Sequence, residues 1–429
     1  MLEIFFDKSI ILQKSNNILF DINIPIFKQN VLQPDQSYEG DGNAYYKIIN
    51  KNNTYQLYYR GINQVVWIDI HNKICNSTES STQFEEICYT ESQDGLYFTN
   101  KCCLSKKLNN IDVLKNSNFC HNFFPYYDEK NKKYIAISGT GMFNNGLFLF
   151  ESQNGIDWIK IKKIIDANDI IPGWTHPNHF DSHNSIVYNS FDDYYYIYLR
   201  HNQTENHRRF VQFTKTKDFN NFTKIKKINI DNDDKEGIYN FNVFMYPNSY
   251  YFIALPCVSN QQDLTQKISN QILYSINGED WYYLSNKFIN LKTSYFITNN
   301  IVYSNDNKEL YFYIHDKWSY KENCLDCYSI EKDRISKIIC NNEGFIQTKL
   351  INLINNNITL NYECINEDGW IVLQLIDINN NLFIESLKYK GNELDKEIEW
   401  NNNIEFQNNQ YYIKFIMCDC NLYSFSYNI

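Results

Sequence analysis

Short apolar runs broken by polar turns recur along the chain, and no convincing amphipathic helical period longer than about ten residues interrupts them. The runs are rich in Ile, Tyr and Phe, which predicts strands. Four of them end in one motif, close to Ser-x-Asp/Asn-Gly-x-x-aromatic. The copies begin at Ser92, Ser152, Thr216 and Ser275, roughly 60 residues apart. The Asp/Asn-Gly pair predicts a hairpin turn with positive φ, and the aromatic predicts a residue that opens the next strand and packs between neighbouring sheets. Before, between and after the copies lie five hairpins, each with an asparagine near its start: Asn43 to Arg60, Asn122 to Ile137, Asn184 to Arg200, Asn242 to Leu255 and Asn300 to Ile314. Four-stranded units repeated radially make a β-propeller, and five such units make a five-bladed one. From about Asn341 the strands continue without the turn motif, as in Ile358–Tyr362 and Trp370–Leu375. That pattern predicts a β-sandwich. The expected architecture is all-β, a five-bladed propeller over 1–340 followed by a C-terminal sandwich over 341–429.

Composition narrows the partners. The chain has 429 residues and a net charge of −10, and no basic block stands against that balance, so nucleic acid is not expected. No apolar run approaches membrane-spanning length, and Met1 to Asp7 reads as a strand rather than a leader, so an intracellular location is expected, with neither export nor a membrane partner. The twelve cysteines are then expected to be reduced thiols. Cys324-Leu325-Asp326-Cys327 has the spacing of a metal or redox pair but lacks a second such pair, so no metal site is assigned to it.

In a propeller the first strand of each blade lines the central channel, so the residues just before each hairpin converge on one funnel. The first of these stretches carries Glu39 and Asp41, the second His121 and Asn122. The third, Trp174 to Asn184, holds His176, His179, Asp181 and His183 and is the densest polar cluster in the chain; the fourth carries Glu236, Tyr239 and Asn240. Carboxylates at three rim positions suit glycoside cleavage, where one protonates the leaving oxygen and a second attacks the anomeric carbon or activates water. Trp174 is a candidate platform for a sugar ring. The histidine spacing, interrupted by Pro177, suits a hydrogen-bonding cleft better than zinc. Arg60, Arg200, Arg208 and Arg209 are scarce cations in an acidic chain; Arg60 and Arg200 end second strands, where pairing with rim carboxylates or packing is expected, and recognition of an anionic sugar is the alternative.

Leu2 to Asp7, Tyr38-Glu39-Gly40, Leu57 to Gly61, Cys88 to Gly95, Phe180 to Asn184, Ile238-Tyr239-Asn240 and Asp419 to Phe425 follow one another in an order that resembles the five-bladed propeller hydrolases of glycoside hydrolase families 32 and 43. They resemble more closely a bacterial family-32-like group with a sandwich at the C-terminus. The resemblance implies a hydrolase acting on an oligo- or polysaccharide, or a glycan-binding propeller that has lost catalysis. It implies Asp41 as nucleophile or base, in Gly40-Asp41-Gly42-Asn43, without the family's proline. Asp181 becomes the transition-state stabiliser, without the flanking arginine and proline, and Glu236 the general acid, without the following cysteine. Glu39 competes with Asp41. Arg60, Asn122, Trp174, His183, Asn184, Tyr239 and Asn240 become substrate contacts. No cofactor is implied, although such propellers hold a structural cation in the channel in some cases.

Overall fold

The computed structural model describes residues 1–40, 43–62, 85–106, 119–140, 145–171, 180–202, 209–231, 237–260, 263–268, 271–286, 288–289, 296–316, 323–402 and 409–428. It is an all-β chain with five antiparallel blades. Blade one runs through Ala44–Lys51, Thr54–Ile62, Glu85–Ser92 and Thr99–Cys103. Blade two runs through Phe124–Asp128, Lys133–Ser138, Gly146–Ser152 and Ile159–Asp166. Blade three comprises Ser185–Asn189, Tyr194–Asn202, Arg209–Thr216 and Lys226–Lys227. Blade four is built on Gly237–Met245, Phe252–Asn260, Ile272–Ser275 and Asp280–Ser285. In blade five Glu309–Asp316 and Cys324–Glu331 are joined on the outside by Ile26–Leu32, which pairs antiparallel with Cys324–Glu331. A strand from the start of the chain thus closes the last blade and hides an edge that would otherwise template aggregation.

The first strands of blades one to four lie against one another in order. The ring closes where Asn299 N donates to Tyr46 O at 3.0 Å and Ile48 N to Asn299 O at 3.3 Å. Four of the five asparagines that open the hairpins tie a blade to its neighbour, while Asn184 bonds within its own loop. Asn122 Nδ2 donates to Phe180 O (2.7 Å), Asn242 Nδ2 to Ile297 O (2.7 Å) and Asn43 Nδ2 to Asn323 Oδ1 (3.0 Å).

The turn motif forms the tight turn its residues predict. Ser92, Ser152 and Ser275 Oγ each accept from the glycine N–H three residues on at 2.9 Å. The Asp94, Asn154 and Asn277 side chains accept from the next two N–H groups. The glycines hold φ of +72° to +77°, and the third copy places Phe219 in the same left-handed region. Trp158 and Trp281 are buried as expected, their indole N–H groups donating to the carbonyls of Gly155 and Gly278. A tyrosine of the preceding blade reaches the same turns. Tyr313 bonds Gly95 O at 2.9 Å, Tyr58 bonds Gly155 O at 3.0 Å and Tyr198 bonds Gly278 O at 2.8 Å.

The C-terminal strands form a ten-stranded sheet around Ser336–Thr348 and the long Asn409–Tyr427, consistent with a sandwich, with one apolar cluster of its own. Leu2–Glu3, Ile11–Lys14 and Ile18–Ile22, grouped with the propeller on sequence grounds, pair instead into this sheet. Cys324 and Cys327 lie on one strand an odd number of residues apart, with Cys327 buried in the blade-five core, so alternation points them to opposite faces. Among the described residues no helix is long and apolar enough to cross a membrane.

Candidate functional site

Charged groups from three blades meet above the channel in a row of alternating sign. Arg60 and Glu85 occupy diagonal positions on adjacent strands of blade one, which puts them on one face of the sheet, with Nη1 3.6 Å from Oε1. His121, just before blade two, sets Nδ1 2.8 Å from Glu85 Oε1 and Nε2 2.5 Å from Asp181 Oδ1. Asp181, just before blade three, accepts from Arg200 Nη2 at 3.1 Å on its other oxygen. The Asp181 side chain is 33% exposed and that of His121 18%, whereas Glu85 and Arg200 are buried. Asp181 is thus the most exposed member of the row.

The row fixes protonation. Burial alone would raise the Asp181 carboxyl, but Arg200, His121 and Arg60 outweigh it and hold the group well below the usual carboxylate range. Burial likewise opposes the His121 imidazolium, and Glu85 and Asp181 overcome it, raising His121 to about 9. At neutral pH the site thus presents an ionised Asp181 beside a protonated His121.

Tyr45 forms the floor. It sits at φ +58° beside a bulge in the innermost strand of blade one, and Phe180, the residue before Asp181, sits at φ +64°. Non-glycine residues at such angles store strain and cluster at functional sites. The Tyr45 ring stacks on His183 (5.5 Å, 24°), meets His121 edge-on at 5.6 Å and lies 4.6 Å from the Arg60 guanidinium. Its hydroxyl is 3.4 Å from that of Tyr239. Tyr239, from the first strand of blade four, has Arg200 and Arg209 at 5.5 and 4.6 Å from its ring centroid.

Below Tyr45 a small cavity is lined by Tyr46, His183, Asn240, Asn242 and Thr298. Among the described residues Asn240 Oδ1, Asn242 Oδ1, Thr298 Oγ1 and His183 Nε2 are buried without a hydrogen-bond partner. Nearby, Lys47 points inward from the innermost strand of blade one, 2% exposed, donating to Asn299 Oδ1 at 3.0 Å and lying over the Phe124 ring. Burial lowers Lys47 to about 7, and burial with Lys47 and Arg60 lowers His183 to about 3. This described lining offers neutral oxygens and one imidazole nitrogen next to an ammonium. That set does not suit a divalent structural cation, which takes several anionic oxygens; it suits water.

The expected site residues divide clearly. Asp181, Arg60, Tyr239 and His121 come together. Asp41, Glu236, Trp174, His176, His179 and Arg208 lie outside the described residues. Glu39 does not face the funnel. It is fully buried, accepts from Asp35 N and Gln36 N at 2.7 Å each and from the Tyr59 hydroxyl, and lies 3.6 Å from Lys101 on the outermost strand of blade one. Its role is to fix the loop that leads into blade one. Asn122 and Asn184 spend their amides on backbone carbonyls, Asn122 at Gly139 and Phe180 and Asn184 within its own loop at Phe180 and Ser182, and His183 lies under Tyr45. Asn240 lines the cavity, not the mouth. Glu85 and Tyr45 were not anticipated. Glu85 opens a third strand rather than a first, and Tyr45 reads as one aromatic of a strand among many.

No protein-family model and no curated protein matches the chain. Solved structures with similar backbones include a glycoside hydrolase family 43 arabinoxylan arabinofuranohydrolase from Bacillus subtilis in complex with cellotetraose (10% identity, 91% of this chain and 96% of that one, TM-score 0.45). An N-acetylgalactosamine deacetylase from F. plautii in complex with blood group B trisaccharide is also similar (12%, 92% and 95%, 0.44), as is an α-L-arabinofuranosidase from Podospora anserina in complex with cellotriose (9%, 72% and 97%, 0.48). The five-bladed architecture of this chain rests on its own sheet topology.

Proposed function

We propose that this chain is a carbohydrate-active hydrolase that cleaves a glycosidic bond of an oligo- or polysaccharide at the mouth of the propeller. The observation that carries this reading is Asp181: an ionised, one-third exposed carboxylate where three blades converge. A fixed negative charge there stabilises the oxocarbenium-like transition state of glycoside cleavage. His121 and Arg200 act through Asp181, holding both oxygens in place. Asp41 as nucleophile or base and Glu236 as general acid complete the chemistry, as the order of motifs implies. Asp181→Asn should lower turnover by about 10²–10⁴-fold while the fold, read by circular dichroism, is retained. An observed glycosidase activity that survives the change undiminished would show that the roles are wrongly assigned.

One observation favours a second reading, a propeller that binds glycans without cleaving them. Both oxygens of Asp181 are already engaged, and Glu85 and Glu39 are buried. Under that reading the protein retains a saccharide on a glycan array, releases no reducing ends from it, and Asp181→Asn weakens retention only.

A further inference from the structure

The chain is acidic overall, at −10, yet the described part of its funnel is rich in cations. Among the described residues Arg60, His121, Arg200 and Arg209 face only two carboxylates, Glu85 and Asp181. Arg60 is buried against Glu85, and Arg200 gives Asp181 one of its nitrogens. Arg200 is only 4% exposed, and among the described residues its Nε and Nη1 are buried with no hydrogen-bond partner. A guanidinium with two nitrogens unsatisfied in the interior is costly unless a further acceptor arrives. Arg209 is half-buried, has no ion pair among the described residues, and shares the Tyr239 ring with Arg200. Two like charges on one ring oppose each other, and burial together with Arg200 depresses the Arg209 guanidinium.

A small cavity beside Arg200 is lined by Ser182, His183, Leu199, Tyr239 and Phe241. An oxyanion placed between Arg200 and Arg209 would satisfy the unpartnered nitrogens and relieve the repulsion at once. A planar carboxylate matches the guanidinium fork best.

Resting on the carbohydrate reading above, we infer that the funnel takes an anionic saccharide, one that carries a carboxylate or a sulfate ester, with Arg209 and Arg200 holding the charged group and Asp181 facing the ring. Neutral oligosaccharides lack the group that compensates the paired guanidiniums and bind weakly.

The test is a panel of oligosaccharides on an array, spanning uronic-acid-bearing, sulfated and neutral chains of several linkages, followed by titration calorimetry. Each uronide hit is compared with its methyl ester. Wild-type protein should retain anionic chains, with the free acid about tenfold or more tighter than its ester. Arg209→Gln should collapse that ratio towards one with an unchanged melting profile, and Arg209→Lys should restore part of it. Equal binding of acid and ester, or hits confined to neutral chains, would overturn this inference and leave the carbohydrate reading standing. Binding of inorganic sulfate with no saccharide retained, or no binding of any probe, would overturn both. Uronide hits without sulfated ones, or the reverse, identify which anion the pair holds.

Discussion

His121 stands between Glu85 and Asp181, with the Arg60 guanidinium and the Tyr45 ring on its flanks. Its folded pKa of about 9 lies above the ordinary histidine value near 6.5. A base whose pKa is raised by folding contributes stability that is fully present below the unfolded value and is lost as pH rises through the folded one. The stability from His121 should therefore fade between about pH 6.5 and 9, where every tenfold gain in proton affinity on folding is worth about 1.4 kcal/mol. Urea melts across that range should show the decline, and His121→Gln should flatten it. Lys47 has the opposite sign. Burial lowers it to about 7, so the cost of holding it inside is full below that pH and is relieved towards its ordinary value near 10.5. Lys47→Met should raise the melting point at pH 6 and gain less at pH 10. A gain that did not shrink with pH would mean that packing, not charge, sets the penalty. At this scale the sequence was partly legible. The pairing of Arg60 and Arg200 with rim carboxylates follows from cations ending strands near the funnel. Glu85 did not stand out, because its importance comes from a diagonal neighbour across the sheet and from a histidine on another blade. Glu39 misled for the converse reason. A carboxylate among glycines looks exposed in a sequence, and only the fold shows its oxygens spent on Asp35 N, Gln36 N and Tyr59.

The turn motif was legible as an element because its physics is local: a serine, an Asp or Asn two residues on, and a glycine in the left-handed region satisfy one another within four residues. Its tyrosine partners were not, because Tyr58 and Gly155 are 97 residues apart and Tyr313 and Gly95 are 218 apart. These contacts make the glycine an inter-blade residue as well as a turn residue. A Cβ on Gly155 would lie 2.5 Å from Tyr58 Oη, at a φ of +77°. Gly155→Ala should then cost about 3 kcal/mol, from the left-handed backbone and the clash together. Tyr58→Phe should cost less, about 1 kcal/mol. Trp158 Nε1 still donates to Gly155 O in that variant, so the carbonyl is not orphaned. Chemical denaturation of the two variants checks the order. If Tyr58→Phe proved the more damaging, the hydroxyl rather than the missing side chain would be what holds blades one and two together.

At the scale of the molecule, the chain begins and ends in the same sheet. Short apolar runs such as Ile4-Phe5-Phe6 and Ile10-Ile11-Leu12 look alike whichever sheet they join, so the sequence showed strands before blade one without showing that they return to the C-terminal module. The alternation of neighbouring side chains tells the rest. Phe5 packs into the C-terminal cluster with Phe415 and Phe425, while Leu2, Ile4 and Phe6 pack into the cluster of blades four and five with Tyr246, Tyr251 and Leu310. Between them Glu3 is fully buried, with the Tyr250 and Tyr251 hydroxyls donating to its carboxylate. Each phenylalanine contributes on the order of 2–3 kcal/mol by burial, so this one segment stabilises both bodies and couples them. Deleting residues 1–22 leaves Ile26–Leu32 to close blade five, yet removes two pairing partners from Ser336–Thr348, one from Asn409–Tyr427, and the cover from blade four. Hydrogen exchange of that truncation should therefore show protection lost at once in Ser336–Thr348, in Asn409–Tyr427 and in Gly237–Met245, while blades two and three keep theirs. Loss confined to the C-terminal strands would mean that the segment belongs to that module alone. Loss across all five blades would mean that the ring depends on the strap, and not only on the strand that closes blade five.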